Sequence, residues 1–99
     1  MKRLYISQPI EGETNDEIKN KREYLAQRAE AQLREEVEVI DSAFLGTPPR
    51  NRALWYLSKS LELLSIADVI ILDKRWQHFK GCRIVEACAR EYGIPILDE

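Results

Sequence analysis

Short apolar runs alternate along this chain with longer stretches whose apolar positions recur at helical spacing. Leu4-Tyr5-Ile6 is a run of strand formers, ended by Pro9 and Gly12. Thr14-Asn15-Asp16-Glu17 has the form of a capping box, with Thr14 as N-cap and Glu17 at the third helical position. The polar helix that follows runs to about Glu35, with Ile18, Leu25, Ala29 and Leu33 on one stripe. Val37-Glu38-Val39-Ile40 reads as a second strand, stopped at Asp41-Ser42. Gly46-Thr47-Pro48-Pro49 is a loop in which no helix can form. Asn51 is a candidate cap for a second helix whose stripe is Leu54, Leu57, Leu61 and Leu64. Val69-Ile70-Ile71-Leu72 is the most apolar strand, and an unbroken run of this kind suits a central strand covered on both faces. A loop from Asp73 to Lys80 leads to Gly81 and a helix from about Cys82 to Glu91, with Gly93 just past its end. Ile94-Pro95-Ile96-Leu97 is the last strand, and Pro95 places it at an edge.

Strands alternating with helices in this way demand parallel strands and right-handed crossovers. The expected fold is α/β: a flavodoxin-like (Rossmann-like) three-layer sandwich with a four-stranded parallel sheet of order 2-1-3-4. Residues 1–99 form one domain, a length that supports a single modest core. The winding reverses between the first and third strands. Ligands of such sheets bind outside the carboxyl ends of the strands at that reversal.

Composition narrows the function classes. A net charge of −2 gives no bulk reason to seek nucleic-acid polymers or anionic membranes. No apolar run approaches the roughly 20 residues of a spanning helix. Met1-Lys2-Arg3-Leu4 leads into a strand rather than a signal-peptide core, so the expected location is cytoplasmic. Cys82 and Cys88 would lie roughly 9 Å apart along one helix, too far for a disulfide. With His78 as the lone histidine and no Cys-x-x-Cys pair, a metal site is not expected.

The topology itself names the residues at the carboxyl edge: Ser7, Gln8 and Pro9 after the first strand; Asp41 and Ser42 after the second; Asp73, Arg75, Trp76, His78, Lys80 and Gly81 after the third. Gly81 at a helix start suits close approach of backbone to an anion, or is a plain helix start. Trp76 can stack on a base or cap the core. Arg22 lies on the apolar stripe of the first helix and needs a partner. That partner is Asp41 or a ligand phosphate, unless the side chain snorkels to water. Glu86, early in the last helix, can attack an anomeric carbon or act as a base, or be a solvated helix glutamate. Asp68, before the central strand, reads first as a carboxylate bonded to backbone N–H groups. Trp55, Tyr56 and Ser58 serve packing or partner contact as readily as ligand binding.

Taken together, Tyr5-Ile6-Ser7-Gln8-Pro9-Ile10, Glu17-Ile18, Arg22, Val39-Ile40-Asp41-Ser42, Ala67-Asp68, Trp76, Gly81-Cys82-Arg83-Ile84 and Tyr92-Gly93-Ile94 resemble a small bacterial and phage branch of the nucleoside 2-deoxyribosyltransferase-like superfamily. The resemblance implies a flavodoxin-like domain, often a homodimer, that holds a deoxynucleoside or its monophosphate. It implies cleavage or exchange of the N-glycosidic bond by a glutamate, with no metal or organic cofactor. On the topology and the resemblance together, Ser7, Gln8, Pro9, Arg22, Asp41, Ser42, Trp76, Gly81, Cys82 and Arg83 are candidates for substrate binding, and Glu86 and Asp68 for catalysis; the resemblance itself matches Ser7, Gln8 and Pro9 to the relatives' substrate segment and Asp68 to their aspartate before the third strand. One departure matters. The relatives' nucleophile follows the helix-start glycine by four positions, which here is Val85, with Glu86 one step later. One step turns a side chain by about 100°. Either the helix starts one residue later, or the pocket persists without glycosidase chemistry. Three functions follow: an N-glycosidase or deoxyribosyltransferase, a non-cleaving nucleotide binder, or an oligomeric interaction protein using Trp55 and Tyr56.

Overall fold

The computed structural model describes residues 1–42 and 52–99. Its elements in chain order are β1 (Lys2–Ser7), α1 (Asn15–Leu33), β2 (Val37–Val39), α2 (Ala53–Leu64), β3 (Val69–Leu72), α3 (Lys80–Glu91) and β4 (Ile96–Asp98), with a 3₁₀ turn at Trp76–His78. The sheet is four-stranded with order β2-β1-β3-β4, and every pairing is parallel. The flavodoxin-like arrangement and the reversal between β1 and β3 are therefore as the sequence implies.

Strand alternation divides the core into two layers. Leu4 and Ile6 of β1 and Val69 and Ile71 of β3 face Leu25 and Ala29 of α1. Tyr5, Ile70 and Leu72 face the other way, onto Leu64 of α2 and Val85 and Ala89 of α3. All four residues of β3 are buried, as a strand sandwiched between helices on both faces requires.

The capping box at the start of α1 is present in both halves. Glu17 N–H donates to Thr14 Oγ1 at 3.1 Å, and Thr14 N–H donates to Glu17 Oε1 at 3.0 Å. Gly93 takes φ +73°, the left-handed geometry expected just past a helix end.

Several boundaries differ from the sequence reading, each for a physical reason. α1 stops before Glu35 because Arg34 adopts φ +57° and its N–H caps Glu30 O at 2.8 Å. β1 starts earlier, at Lys2, because its polar first residues pair with β2. α3 begins at Lys80, so Gly81 lies inside its first turn. Ile94 lies between α3 and β4 rather than in the strand, since its N–H turns back to Ala89 O at 2.9 Å. Pro95 just precedes β4, which is an edge strand. In α2 the stripe starts later than expected: Leu57 and Leu61 pack on the core, whereas Leu54 is 76% exposed. The proposed Asn51 cap lies outside the described residues.

Leu25 is fully buried where α1 crosses the sheet. Leu25→Ala is expected to cost about 2–5 kcal/mol in urea unfolding. Leu54→Ala is expected to change stability by less than about 0.5 kcal/mol.

Candidate functional site

At the carboxyl edge the reversal point places the ends of β1 and β3 side by side, with Ser7 paired to Leu72 and Asp73 N–H donating to Ser7 O at 2.9 Å. The next residue the chain must accommodate is a carboxylate. Asp73 has no solvent exposure. A buried carboxylate is tolerable only when charged donors meet it. Arg75 supplies them: Nε and Nη2 reach Asp73 Oδ1 and Oδ2 at 3.1 and 2.8 Å, and Arg75 N–H adds a bond to Oδ1 at 2.8 Å. Lys21 Nζ stands 3.9 Å from Oδ2. Burial by itself raises the Asp73 pKa, but the Arg75 hydrogen bonds and the Lys21 charge outweigh it, and the carboxyl is held below its usual range.

The same cations reach outward. Arg75 Nη1 donates to Glu13 Oε1 at 2.8 Å, and Lys21 Nζ to Glu99 Oε2 at 2.7 Å. Glu99 Oε1 accepts from Lys74 N–H at 2.9 Å. Burial pulls the Glu99 pKa up, yet the Lys21 and Lys74 donors bring it below the ordinary value. Glu13, Lys21 and Glu99 thus belong to the site. The sequence offers no spacing that singles them out, because their partners are brought in by the sheet.

The opposite side of the reversal is less charged. The Ser7 hydroxyl lies within hydrogen-bonding reach of Cys82 in the first turn of α3, and burial pushes the Cys82 thiol up. Beneath them Tyr5 is buried, which raises its phenol pKa, and its hydroxyl meets Ser60 of α2. Gln8 Nε2 donates to Ile18 O at 3.2 Å, leaving Gln8 Oε1 buried with no donor among the described residues. Pro9 is buried beside it.

The end of β2 carries a separate cation. Arg22 donates through Nη1 to Ser42 Oγ at 3.3 Å and through Nη2 to Ile40 O. The Ser42 hydroxyl in turn donates to Ile6 O at 3.3 Å, tying β2 to β1. Burial lowers the Arg22 pKa, and the nearby Asp41 charge opposes that. Asp41 is exposed and makes no ion pair with Arg22, so the partners of Arg22 among the described residues are neutral oxygens.

The remaining candidates are dispersed. Trp76 packs against the core on the α2–α3 side, and its N–H donates to Asp73 O at 2.9 Å. Arg83 Nη1 donates to Gln77 O at 2.9 Å and braces the 3₁₀ turn. Gly81 is exposed, with open space where a Cβ would stand. His78 is exposed. Val85 is 3% exposed within the apolar cluster, and Glu86 is ion-paired to Arg90 at 3.3 Å along the helix. Asp68 does not reach the site. It sits at the amino end of β3, where its Oδ2 accepts from Arg3 N–H at 2.8 Å. Five residue steps along the strand separate it from Asp73, about 16 Å. Asp68 thus anchors β1 to the start of β3, and the aspartate at the carboxyl edge is Asp73.

The fold and this edge define a small parallel α/β domain with its polar side chains gathered where the winding reverses. The chain belongs to the family described as a domain of unknown function, DUF4406, whose model matches residues 2–98. None of the curated proteins matches it. Among solved structures it is similar to a conserved protein from Enterococcus faecalis V583, at 13% identity and a TM-score of 0.66. That match covers 99% of this chain and 62% of the other, so the chain spans under two thirds of its neighbour's length. At that identity the likeness speaks for the fold. No described helix is long and apolar enough to cross a membrane.

A group whose folded pKa is depressed stabilises the fold above its unfolded pKa and loses that contribution as pH falls through the folded value. Asp73→Asn is therefore expected to cost about 2 kcal/mol at pH 7. The gap to wild type should narrow steadily below about pH 4, as read by urea unfolding across that range.

Proposed function

We propose that this domain binds a nucleoside or nucleoside monophosphate at the carboxyl edge, between the ends of β1 and β3, and does not cleave it. The observation that carries this reading is the meeting of Ser7, Asp73 and Cys82 at the reversal point, beside Gln8 and Arg75. This is where parallel α/β sheets hold their ligands. The buried Gln8 Oε1 adds weight: a buried acceptor without a donor costs roughly 1–3 kcal/mol, and a ligand hydroxyl or amino group would meet it. The resemblance to the nucleoside 2-deoxyribosyltransferase-like superfamily supplies the ligand class. Ser7, Gln8 and Pro9 match its segment after the first strand.

Binding without cleavage is favoured by α3. The position four after Gly81 is Val85, which is committed to the core beside Leu72 and Ala89. Glu86 is turned by about 100° from it and is engaged with Arg90. A nucleophile must stand within near-attack distance of its target carbon, and Val85 cannot be exchanged for Glu86 without rotating the helix out of its packing.

Calorimetry against a panel of deoxynucleosides and their monophosphates is expected to show saturable binding by at least one member. Chromatography of the same mixtures is expected to show no free base. Binding by none of them would contradict the nucleoside reading. Release of base that disappears in Glu86→Gln would replace the binding reading with the glycosidase.

A further inference from the structure

The two edges of the Arg75 guanidinium differ in kind. Its inner edge is fixed on Asp73, which is fully buried. Its outer edge holds Glu13, in the loop between β1 and α1, while the Arg75 side chain itself is 39% exposed. The Glu13–Arg75 pair thus spans the two loops that flank the reversal point. Glu13 is held in its loop by one turn, Glu13 N–H to Ile10 O at 3.2 Å, with Gly12 at φ +80° between them.

Beside this pair lies an open depression of about 530 Å³ lined by Glu13, Glu17, Asn20, Lys21, Lys74 and Arg75. Glu17 is engaged at the cap of α1. Lys74 is exposed, and its ammonium makes no ion pair among the described residues. Lys21, Lys74 and Arg75 therefore face Glu13, Asp73 and Glu99, and Glu17 on the lining is a fourth carboxylate, so three positive charges stand against four negative ones. An added anion meets no net attraction there. With Glu13 swung away the charges balance, three against three, and Arg75 Nη1 and the Lys74 ammonium line the depression with no ion-pair partner among the described residues.

We infer that Glu13 is a built-in competitor for a phosphate group, which displaces the Glu13 carboxylate from the outer edge of Arg75 and takes Lys74 as a second contact. Arg75 keeps its bonds to Asp73 throughout, so the receptor is preformed and only the loop moves. The phosphate is a free ion or the phosphate of a nucleotide. In the second case the inference rests on the nucleoside reading and extends it, making the ligand a monophosphate and the Arg75 side of the edge its phosphate end.

The test is titration of wild type, Glu13→Gln and Glu11→Gln with inorganic phosphate, a deoxynucleoside, and its monophosphate, followed by amide chemical shifts. Glu11 is exposed in the same loop, so Glu11→Gln removes one negative charge there without touching Arg75. Phosphate affinity is expected to tighten roughly tenfold in Glu13→Gln, equivalent to about 1.4 kcal/mol, with shifts centred on Lys74 and Arg75. In Glu11→Gln it is expected to change by less than about twofold. Equal affinity in wild type and Glu13→Gln, equal tightening in both variants, or no phosphate binding by any of them overturns the inference. Tightened phosphate binding with no response to the nucleoside or its monophosphate upholds the competitor and rejects the nucleoside reading. Nucleoside binding indifferent to the phosphate and to Glu13 does the reverse.

Discussion

A carboxylate without solvent stands where the winding of the sheet reverses, and the carboxyl edge is arranged to keep it charged. Asp73 follows directly on the most buried strand of the domain. An ionised carboxyl in such a place costs several kcal/mol unless donors surround it. Arg75 meets it with three hydrogen bonds, and Lys21 from α1 adds a charge. The charged cluster around it follows from that requirement. The loop after β3 must curl so that Arg75 folds back, which sets the 3₁₀ turn at Trp76–His78. α1 must pass close enough for Lys21 to reach, and Glu99 then shares the same lysine.

The consequence is a preformed surface. The donors that neutralise Asp73 have second edges turned outward, and the residues on the opposite flank, Ser7 and Cys82, are neutral. Under the proposed function, a ligand would find cationic donors on one side and the hydroxyl and thiol groups of Ser7 and Cys82 on the other. That polarity suits a molecule with an anionic end and a hydroxylated body. Arg22, at the end of β2, differs from Arg75 in an instructive way: its guanidinium is spent on Ile40 O and Ser42 Oγ, oxygens that close the gap between β1 and β2. One arginine shapes the frame, while the other is left with an exchangeable partner.

The fold was legible because its signals are local. The unbroken Val69–Leu72 run, the Thr14–Glu17 capping box and the Gly93 turn each depend on neighbours within a few residues. Local signals also failed in identifiable places. Arg34 ends α1 in a left-handed conformation that ordinarily marks glycine, so no residue type announced the stop. Leu54 keeps the spacing of its stripe but lies one turn before α2 reaches the core. The site was legible only in outline. Strand order puts Ser7 and Asp73 at one edge, yet the partners of Asp73 and Lys21 depend on contacts as distant as Lys21 to Glu99, 78 positions apart. Two aspartates bracket β3, and composition treats them alike. Strand direction alone separates Asp68, bonded to Arg3 at the far end, from Asp73 at the edge.

The account turns on Asp73 being ionised inside the protein, and its own titration tests this most directly. The carboxyl carbon of Asp73, followed by NMR from neutral to acid pH in the folded protein, is predicted to titrate below the ordinary aspartate value of about 3.9. A midpoint at or above that value would mean that burial outweighs Arg75 and Lys21, and the charged edge described here would lose its foundation.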